Sequence, residues 1–309
     1  MRVTFVIPVY NEEKSLATLA GMIQQQMNSL GADFEILFVD DGSVDSSFQV
    51  IKGLREESKN IKVIKFRRNV GKSNALDEAF KLSKGDIVFT MDADLQDDPT
   101  EIPRFIEKID EGFDLVSGWK QKRKDPVFSK NMPSKLFNFM IGAVSGLKLH
   151  DYNCGFKAYR KDVVKRLSLY GDLHRYIPAL VHAMGFKVTE IPVKHQARPF
   201  GKSKYGLERF FHGFFDFVTV VFLTKYLKRP MHFFGWLGSL CSLAGFLVCS
   251  YLSFLWLLNE PIGTRPLLIL GVLLLLVGVQ LFSAGLIAEM ITHGRQNKGL
   301  DDMVELVLD

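Results

Sequence analysis

Cysteine is scarce: Cys154, Cys241 and Cys249 are the only three in 309 residues, and two of them fall inside apolar runs. No disulfide framework can hold this fold, and a reducing compartment suits its soluble part. The usual nucleotide loops are missing as well. No G-x-G-x-x-G follows the first expected strand, which excludes a Rossmann dinucleotide site. Gly71-Lys72-Ser73 matches the tail of a Walker A loop, but the glycine that motif needs five residues earlier is Phe66. The N-terminal Met1-Arg2-Val3-Thr4-Phe5 runs straight into a strand pattern and reads as having no cleavable signal. Finally, charge of either sign is absent from Phe233 to Leu258, about 26 residues, and from Leu267 to Ala288, about 22. Each stretch is long enough to cross the ~30 Å hydrocarbon core of a bilayer.

What is present centres on Val88–Asp98, VFTMDADLQDD. The run Ile87-Val88-Phe89 reads as a buried strand that delivers Asp92 and Asp94 at its carboxyl end, where open α/β sheets bind ligands. Two carboxylates one residue apart repel unless a cation lies between them. Mg²⁺ or Mn²⁺ fits, because hard divalent ions take carboxylate oxygens and keep positions free for substrate phosphates. A solvated acidic loop is the alternative reading of the motif taken alone.

In chain order, strands are expected at Val3–Val9, Phe34–Val39, Ile61–Phe66, Ile87 onward, Asp114–Ser117, Phe156–Tyr159 and Lys187–His195. Helical patterns fall between them, from Glu12 with Leu16, Leu19 and Ile23 on one face, over Val44–Glu57, over Lys72–Ser83 and over Pro133–Val144. Alternation of this kind predicts an α/β fold with a mostly parallel sheet. The polar strand ends, Asn11 and Glu12, Asp41, Asn69 to Lys72, and Asp92 to Gln96, then share one rim. Lys120-Gln121-Lys122-Arg123-Lys124-Asp125 reads as a basic loop beside that rim, or as a solvated charge run. Asp151 is a further carboxylate candidate, although a lone Asp in a turn also serves as a cap. Gln196 to Tyr205, with Arg198, Gly201, Lys202, Ser203 and Lys204, reads as a phosphate cradle or a basic segment against lipid headgroups. Leu207–Leu227 reads as an interfacial helix.

The net charge of +5 is unevenly spread, with Lys and Arg clustered between Lys120 and Arg229, which suits anionic lipid or phosphate; no nucleic-acid partner is expected. Lys225, Lys228 and Arg229 precede the first span and His293, Arg295 and Lys298 follow the second, against Arg265 between them. Positive-inside counting puts both termini and the N-terminal domain in the cytoplasm. Gly235, Gly238 and Gly245 let spans approach closely, which leaves a homo-oligomer open.

Ile7-Pro8-Val9-Tyr10-Asn11-Glu12, Val39-Asp40-Asp41-Gly42-Ser43, Arg68-Asn69-Val70-Gly71-Lys72, Asp92-Ala93-Asp94-Leu95-Gln96 and Arg198-x-x-Gly201-x-Ser203-Lys204-Tyr205 stand in this order. Together they resemble the membrane-anchored family-2 glycosyltransferases that load sugars onto polyprenyl phosphates. The resemblance covers essentially the whole chain. It implies a GT-A fold, a domain over 1–205, juxtamembrane helices over 206–230, two transmembrane helices over 231–290 and a cytoplasmic tail over 291–309. It further implies inverting transfer of one hexose from a nucleotide sugar to a polyprenyl phosphate in the bilayer. Pro8, Tyr10, Asn11, Glu12, Asp41, Gly71, Lys72, Asp92 and Ala93 would meet the donor nucleotide. Asp92 and Asp94 would hold Mg²⁺ or Mn²⁺ with Gln96 beside it. Lys120, Arg123, Arg198, Lys202, Ser203 and Lys204 would meet the acceptor phosphate. Asp92, Asp94 and Asp151 are the candidate catalytic residues, Asp151 as a group that orients sugar or cation rather than one that removes a proton. The stretch Ser117 to Asp125 is more similar to the UDP-sugar enzymes, so UDP-glucose or a related UDP-hexose is the expected donor and GDP-mannose, as in a polyprenyl-phosphate mannose synthase, the alternative. A non-catalytic membrane scaffold is the alternative of another class, and the Asp-x-Asp together with the cationic acceptor loop argues against it.

Overall fold

The computed structural model describes residues 1–121, 138, 141–143, 145–194, 219, 222, 226, 230–260 and 266–296. The chain divides into two compact units, Met1–Val220 and Val221–Asp309. The first is built on a seven-stranded sheet: β1 (Arg2–Val9), β2 (Asp33–Asp40), β3 (Ile61–Lys65), β4 (Ile87–Thr90), β5 (Leu115–Lys120), β6 (Lys157–Arg160) and β7 (Val188–Val193), in the order β3-β2-β1-β4-β6-β5-β7. Four neighbouring pairs are parallel, and β6 runs antiparallel to both β4 and β5. The mostly parallel sheet therefore carries one reversed strand. Because β6 is flanked by two strands it opposes, β5 points the same way as β4, and its carboxyl end reaches the same rim.

Around the sheet lie α1 (Leu16–Leu30), α2 (Ser47–Glu57), α3 (Lys72–Leu82), α4 (Ile102–Asp110), α5 (Lys161–Arg166) and α6 (Ile177–Ala183). In α1 the buried residues Leu16, Leu19, Ala20, Ile23 and Met27 recur at helical spacing, and Gly31 ends the helix in the left-handed conformation, φ 62°. Two helices begin later than their patterns predict, α1 at Leu16 rather than Glu12 and α2 at Ser47 rather than Val44. The reason is that the two preceding turns bind each other. Asn11 N–H donates to Ser43 Oγ (3.0 Å), Glu12 N–H to Ser47 Oγ (2.8 Å) and Val44 N–H to Asn11 Oδ1 (2.9 Å). These contacts pin the two turns in non-helical backbone, with Asn11 at φ 56° and Gly42 at φ 70°. β5 runs on to Lys120, beyond the expected Ser117, because β7 pairs with it residue by residue over its whole length.

Behind the carboxyl end of β4, Phe89 stacks on Phe5 (5.3 Å between ring centres) and meets Phe105 (5.8 Å) and Phe156 (6.1 Å). Aromatic pairs of this kind add about 0.5–1.5 kcal/mol each beyond area burial. They hold rigid the strand from which Asp92 and Asp94 project.

The second unit contains α7 (Pro230–Leu257) and α8 (Pro266–Gln296), each long and apolar enough to cross a membrane. The pair is packed through small residues. A Cβ on Gly238 would lie 2.8 Å from the carbonyl oxygen of Gly278, and one on Gly245 would lie 2.7 Å from that of Gly271. Large apolar side chains such as Trp236, Phe246 and Ile269 point outward. Small residues inside and large ones outside is the pattern of helices solvated by lipid. Gly238 and Gly245 thus serve contact within the hairpin, while a Cβ on Gly235 would meet only Met231 of its own helix. Glu289, the first carboxylate of α8, accepts the Met231 N–H at 3.2 Å and so satisfies one of the orphan donors at the start of α7. The expected helix at Pro133–Val144 lies largely, and the one at Leu207–Leu227 almost wholly, outside the described residues.

Candidate functional site

The four strands β3, β2, β1 and β4 are mutually parallel, so their carboxyl ends form one rim with Asp92 and Asp94 at its centre. Asp94 is buried, at 7 % exposure, and its Oδ1 accepts the Gln96 N–H at 3.2 Å, a turn that Leu95 completes with φ 59°. Gln96 thus reaches the motif through its backbone. Asp92 Oδ1 forms an ion pair with Lys72 Nζ. Burial raises the Asp92 pKa, but Lys72, Lys120 and Lys157 outweigh it and hold the carboxyl well below the usual carboxylate range. The group is an anion at any working pH.

Lys72 is placed by a chain of local contacts. It opens α3 directly after Gly71, whose φ of 91° is a conformation L side chains rarely adopt. Asp41, buried, accepts the Val70 N–H (2.7 Å) on one oxygen and the Gly71 N–H (3.0 Å) on the other. Burial raises the Asp41 pKa, and those two N–H groups oppose the rise. Gly42 lies against the same loop, since a Cβ there would sit 2.5 Å from the carbonyl carbon of Arg68. From the far side, the His174 N–H donates to Ser73 Oγ (3.0 Å), and the Ser73 hydroxyl meets His174 Nδ1 at 2.9 Å. A Ser73 hydroxyl that donates to Nδ1 suits a neutral His174 with its proton on Nε2; the His174 pKa agrees. Its pKa lies well below the ordinary value of 6.5, first through burial and then through Lys72 and Arg175 and, more weakly, Lys157; Asp92 opposes them.

That depression sets a pH dependence of stability. Below pH 6.5 the unfolded chain protonates His174 while the native state resists, so stability falls with pH until the native His174 itself titrates. The slope is bounded by about 1.4 kcal/mol per pH unit for one proton. Thermal midpoints at pH 7.5 and 5.5 should show a larger loss for the wild type than for His174→Asn, and equal losses would sink the assignment.

On the other flank of β4, Thr90 pairs with Lys157 in the antiparallel ladder, and Thr90 Oγ1 donates to the Gly155 carbonyl at 2.8 Å. Gly155 packs directly on Asp92, where a Cβ would lie 2.4 Å from Oδ2. The Lys157 ammonium, buried, donates to the Cys154 carbonyl. Burial lowers its pKa and Lys72 adds repulsion, while Cys154, Asp151 and Asp92 work the other way. Burial likewise pushes the Cys154 thiol up to about 12. Asp151 is 1 % exposed and accepts the Asn153 N–H at 3.1 Å, so it is both a turn former and a buried anion beside Lys157. Next to it, His150 stacks on Trp119 with ring centres 3.9 Å apart, and its backbone N–H and Nδ1 both meet the Glu190 carboxylate.

Pro8, Lys72, Asp92, Gly155, Lys157 and His174 line one pocket. Of the expected donor-side residues, Pro8, Lys72 and Asp92 are brought together there; Tyr10, Asn11, Glu12, Asp41, Gly71 and Ala93 lie on the adjoining loops of the rim. Lys120 differs from its reading as part of an exposed basic loop. It ends β5, its side chain is 10 % exposed, and its Nζ lies 3.1 Å from the buried Asp97 Oδ1. A carboxylate as buried as Asp97 demands a cation, and Lys120 supplies it from the end of β5. Burial works against the Lys120 charge, but Asp97, with Asp92, keeps it protonated. Arg123, Arg198, Lys202, Ser203 and Lys204 lie outside the described residues. Gly155, Lys157, Thr90, Ser73 and His174 are what sequence reasoning missed. The one signal available was Lys157, a charge inside an apolar strand pattern.

Among the described residues no three His, Cys, Asp or Glu side chains converge on one point. A pair of carboxylates, Asp92 and Asp94, is nevertheless the donor set that Mg²⁺ or Mn²⁺ uses when substrate phosphates and water complete its shell. The residues present fit such an ion.

The family model described as Glycosyl transferase family 2 matches residues 4–168. A dodecaprenyl-phosphate galacturonate synthase of Rhizobium johnstonii is 37 % identical over 316 residues, covering 100 % of this chain and 94 % of its own. An undecaprenyl-phosphate 4-deoxy-4-formamido-L-arabinose transferase of Salmonella paratyphi B is 36 % identical over 293 residues, covering 94 % of this chain and 88 % of its own. Among solved structures, glucosyl-3-phosphoglycerate synthase from Mycobacterium tuberculosis, in complex with Mn²⁺, UDP and phosphoglyceric acid, superposes with a TM-score of 0.55 at 17 % identity, covering 72 % of this chain and 77 % of that one. That likeness establishes the GT-A fold.

Proposed function

The chain belongs to glycosyl transferase family 2, and from that premise we propose that it transfers a single hexose from a UDP-sugar to the phosphate of a polyprenyl phosphate at a membrane surface. The observation that carries the reading is the Asp92 and Asp94 pair on the sheet rim with the Lys72 ammonium on Asp92. Two negatively charged reactants must be held together there, and anionic and cationic groups at one strand end divide that work. The relatives named above act on dodecaprenyl and undecaprenyl phosphate. Coverage of 94 % or more of this chain by both of them supports the same acceptor class here.

Asp92 and Asp94 would hold the divalent cation, Mg²⁺ or Mn²⁺. When bound, it would neutralise charge on the departing nucleoside diphosphate. Lys72, Pro8 and the loops carrying Tyr10, Glu12 and Asp41 would seat the nucleotide. A phosphate monoester has its second pKa near ~6, so the acceptor is already a nucleophile at neutral pH and no strong base is required. Asp151, enclosed beside Lys157, suits orientation of the sugar better than proton removal from an incoming lipid. Arg198, Ser203 and Lys204 are the proposed acceptor-phosphate ligands. The two apolar helices of the second unit mark a membrane-associated enzyme. The positive flanks of the spans support a cytoplasmic catalytic domain over 1–205, followed by juxtamembrane helices over 206–230, two transmembrane helices over 231–290 and a cytoplasmic tail over 291–309.

UDP as the nucleotide rests on the stretch Ser117 to Asp125. Titration of the detergent-solubilised protein with UDP and with GDP, each with and without Mn²⁺, tests it by calorimetry. A metal-dependent preference for UDP of about tenfold or more, equivalent to ~1.4 kcal/mol, is expected. Preference for GDP would move the donor to GDP-mannose.

A further inference from the structure

We propose that Thr90 is a positioning residue for the Asp92 carboxylate and that it acts through the Gly155 carbonyl. This rests on the metal assignment to Asp92 and Asp94 above. β4 is otherwise Ile87, Val88 and Phe89, all buried, and a hydroxyl in such a strand costs free energy unless it is hydrogen-bonded. Thr90 lines the same pocket as Asp92 and Gly155, and its hydroxyl donates to the Gly155 carbonyl at 2.8 Å. Gly155 in turn stands directly behind Asp92, since a Cβ built on it would lie 2.7 Å from the Asp92 Cγ. The preceding carbonyl, that of Cys154, accepts from the Lys157 ammonium, and Lys157 is the residue facing Thr90 in the ladder between β4 and β6. Two facing side chains thus grip consecutive carbonyls of the segment against which Asp92 rests.

The Asp92 side chain is 32 % exposed, so one side is open to an arriving cation and diphosphate while the Gly155 backbone walls the other. A carboxylate with a wall behind it has fewer orientations to lose when it takes up a metal, which is how preorganisation raises affinity. That wall is as firm as the contacts that hold it. Of the two, Thr90 is the informative one. It is neutral, so replacing it alters the wall without altering the charge around Asp92, whereas loss of Lys157 would change both. Valine keeps the shape of threonine and removes only the hydroxyl, which takes from the Gly155 carbonyl its hydrogen bond to β4.

The test is Mn²⁺ binding by the detergent-purified full chain in the presence of UDP, or of GDP if that is the nucleotide bound, read as loss of the free Mn²⁺ electron paramagnetic resonance signal. Thr90→Val should bind Mn²⁺ about three- to tenfold more weakly than the wild type, the factor that corresponds to leaving one side chain free to change rotamer. Thr90→Ser, which keeps the hydroxyl, should recover most of that loss. Tyr159→Phe is the control, because it removes a buried hydroxyl 3.4 Å from Thr90 Oγ1 and leaves the Gly155 contact in place. It should lower the thermal midpoint without weakening Mn²⁺ binding. Asp92→Asn serves as the reference. If Asp92→Asn loses Mn²⁺ while Thr90→Val binds it as well as the wild type, the positioning role is overturned and the metal assignment stands. Equal weakening in Thr90→Val and Tyr159→Phe would mark a general loosening of the fold and overturn the role as well. If Asp92→Asn binds Mn²⁺ as well as the wild type, the metal assignment falls and the positioning role with it.

Discussion

Asp94→Asn should reduce sugar transfer by about 10³-fold or more, the scale on which loss of a charge-stabilising group acts. Asp94 is 7 % exposed and its Oδ1 receives the Gln96 N–H. The amide is nearly the same shape and can keep that hydrogen bond with its carbonyl oxygen. What it loses is the negative charge, and a hard divalent cation at a two-carboxylate site depends on that charge. Fold and function therefore separate cleanly in this variant. The measurement is transfer of radiolabelled sugar into the organic-extractable lipid fraction, with a thermal midpoint taken on the same preparation. An unchanged midpoint with activity lost supports the assignment; activity within tenfold of the wild type would remove Asp94 from the metal site.

Gly155→Ala is the second large effect, and no inspection of the motif would lead to it. The added Cβ falls 2.4 Å from Oδ2 and 2.7 Å from Cγ of Asp92. Something must move, and the glycine's own loop is poorly able to. Thr90 Oγ1 holds the Gly155 carbonyl at 2.8 Å, and the Gly118 N–H donates to the Phe156 carbonyl at 2.9 Å. On the far side Gly118 packs so closely that a Cβ there would lie 3.0 Å from Cys154 Sγ. The Asp92 carboxylate is what gives way. Displacement of a reacting group by about 1 Å costs about 10²-fold in rate, and overpacking of this kind costs about 1–3 kcal/mol of stability. Gly53→Ala is the matched control, since nothing lies within 4 Å of its Cβ and it sits inside α2, where alanine is the better helix former. Wild-type turnover in Gly155→Ala would show that Asp92 tolerates displacement and is not positioned as argued.

The contrast between these two variants shows where sequence reasoning reached. Asp92 and Asp94 were legible as a strand end because their signal is local: a short apolar run followed at once by two carboxylates. The same holds for α7 and α8, since a charge-free segment longer than a bilayer is thick needs no tertiary context to be read. The late starts of α1 and α2 were not legible, because the groups that replace the first helical turn are more than thirty residues away, Asn11 on Ser43 and Glu12 on Ser47.

By itself, then, the sequence determined the alternation of strands and helices, the carboxylate pair on the rim and the two apolar helices, all of them properties carried within a dozen or two consecutive residues. Only the tertiary structure decided what surrounds Asp92. Reversal of β6 lays Thr90 beside Lys157 and brings Gly155 onto the carboxylate, and the matching direction of β5 sets Lys120 against Asp97. Ser73 meets His174 across 101 residues. Strand order and direction arise from how the whole sheet buries its faces, so no local pattern specifies which side chains will face one another across it.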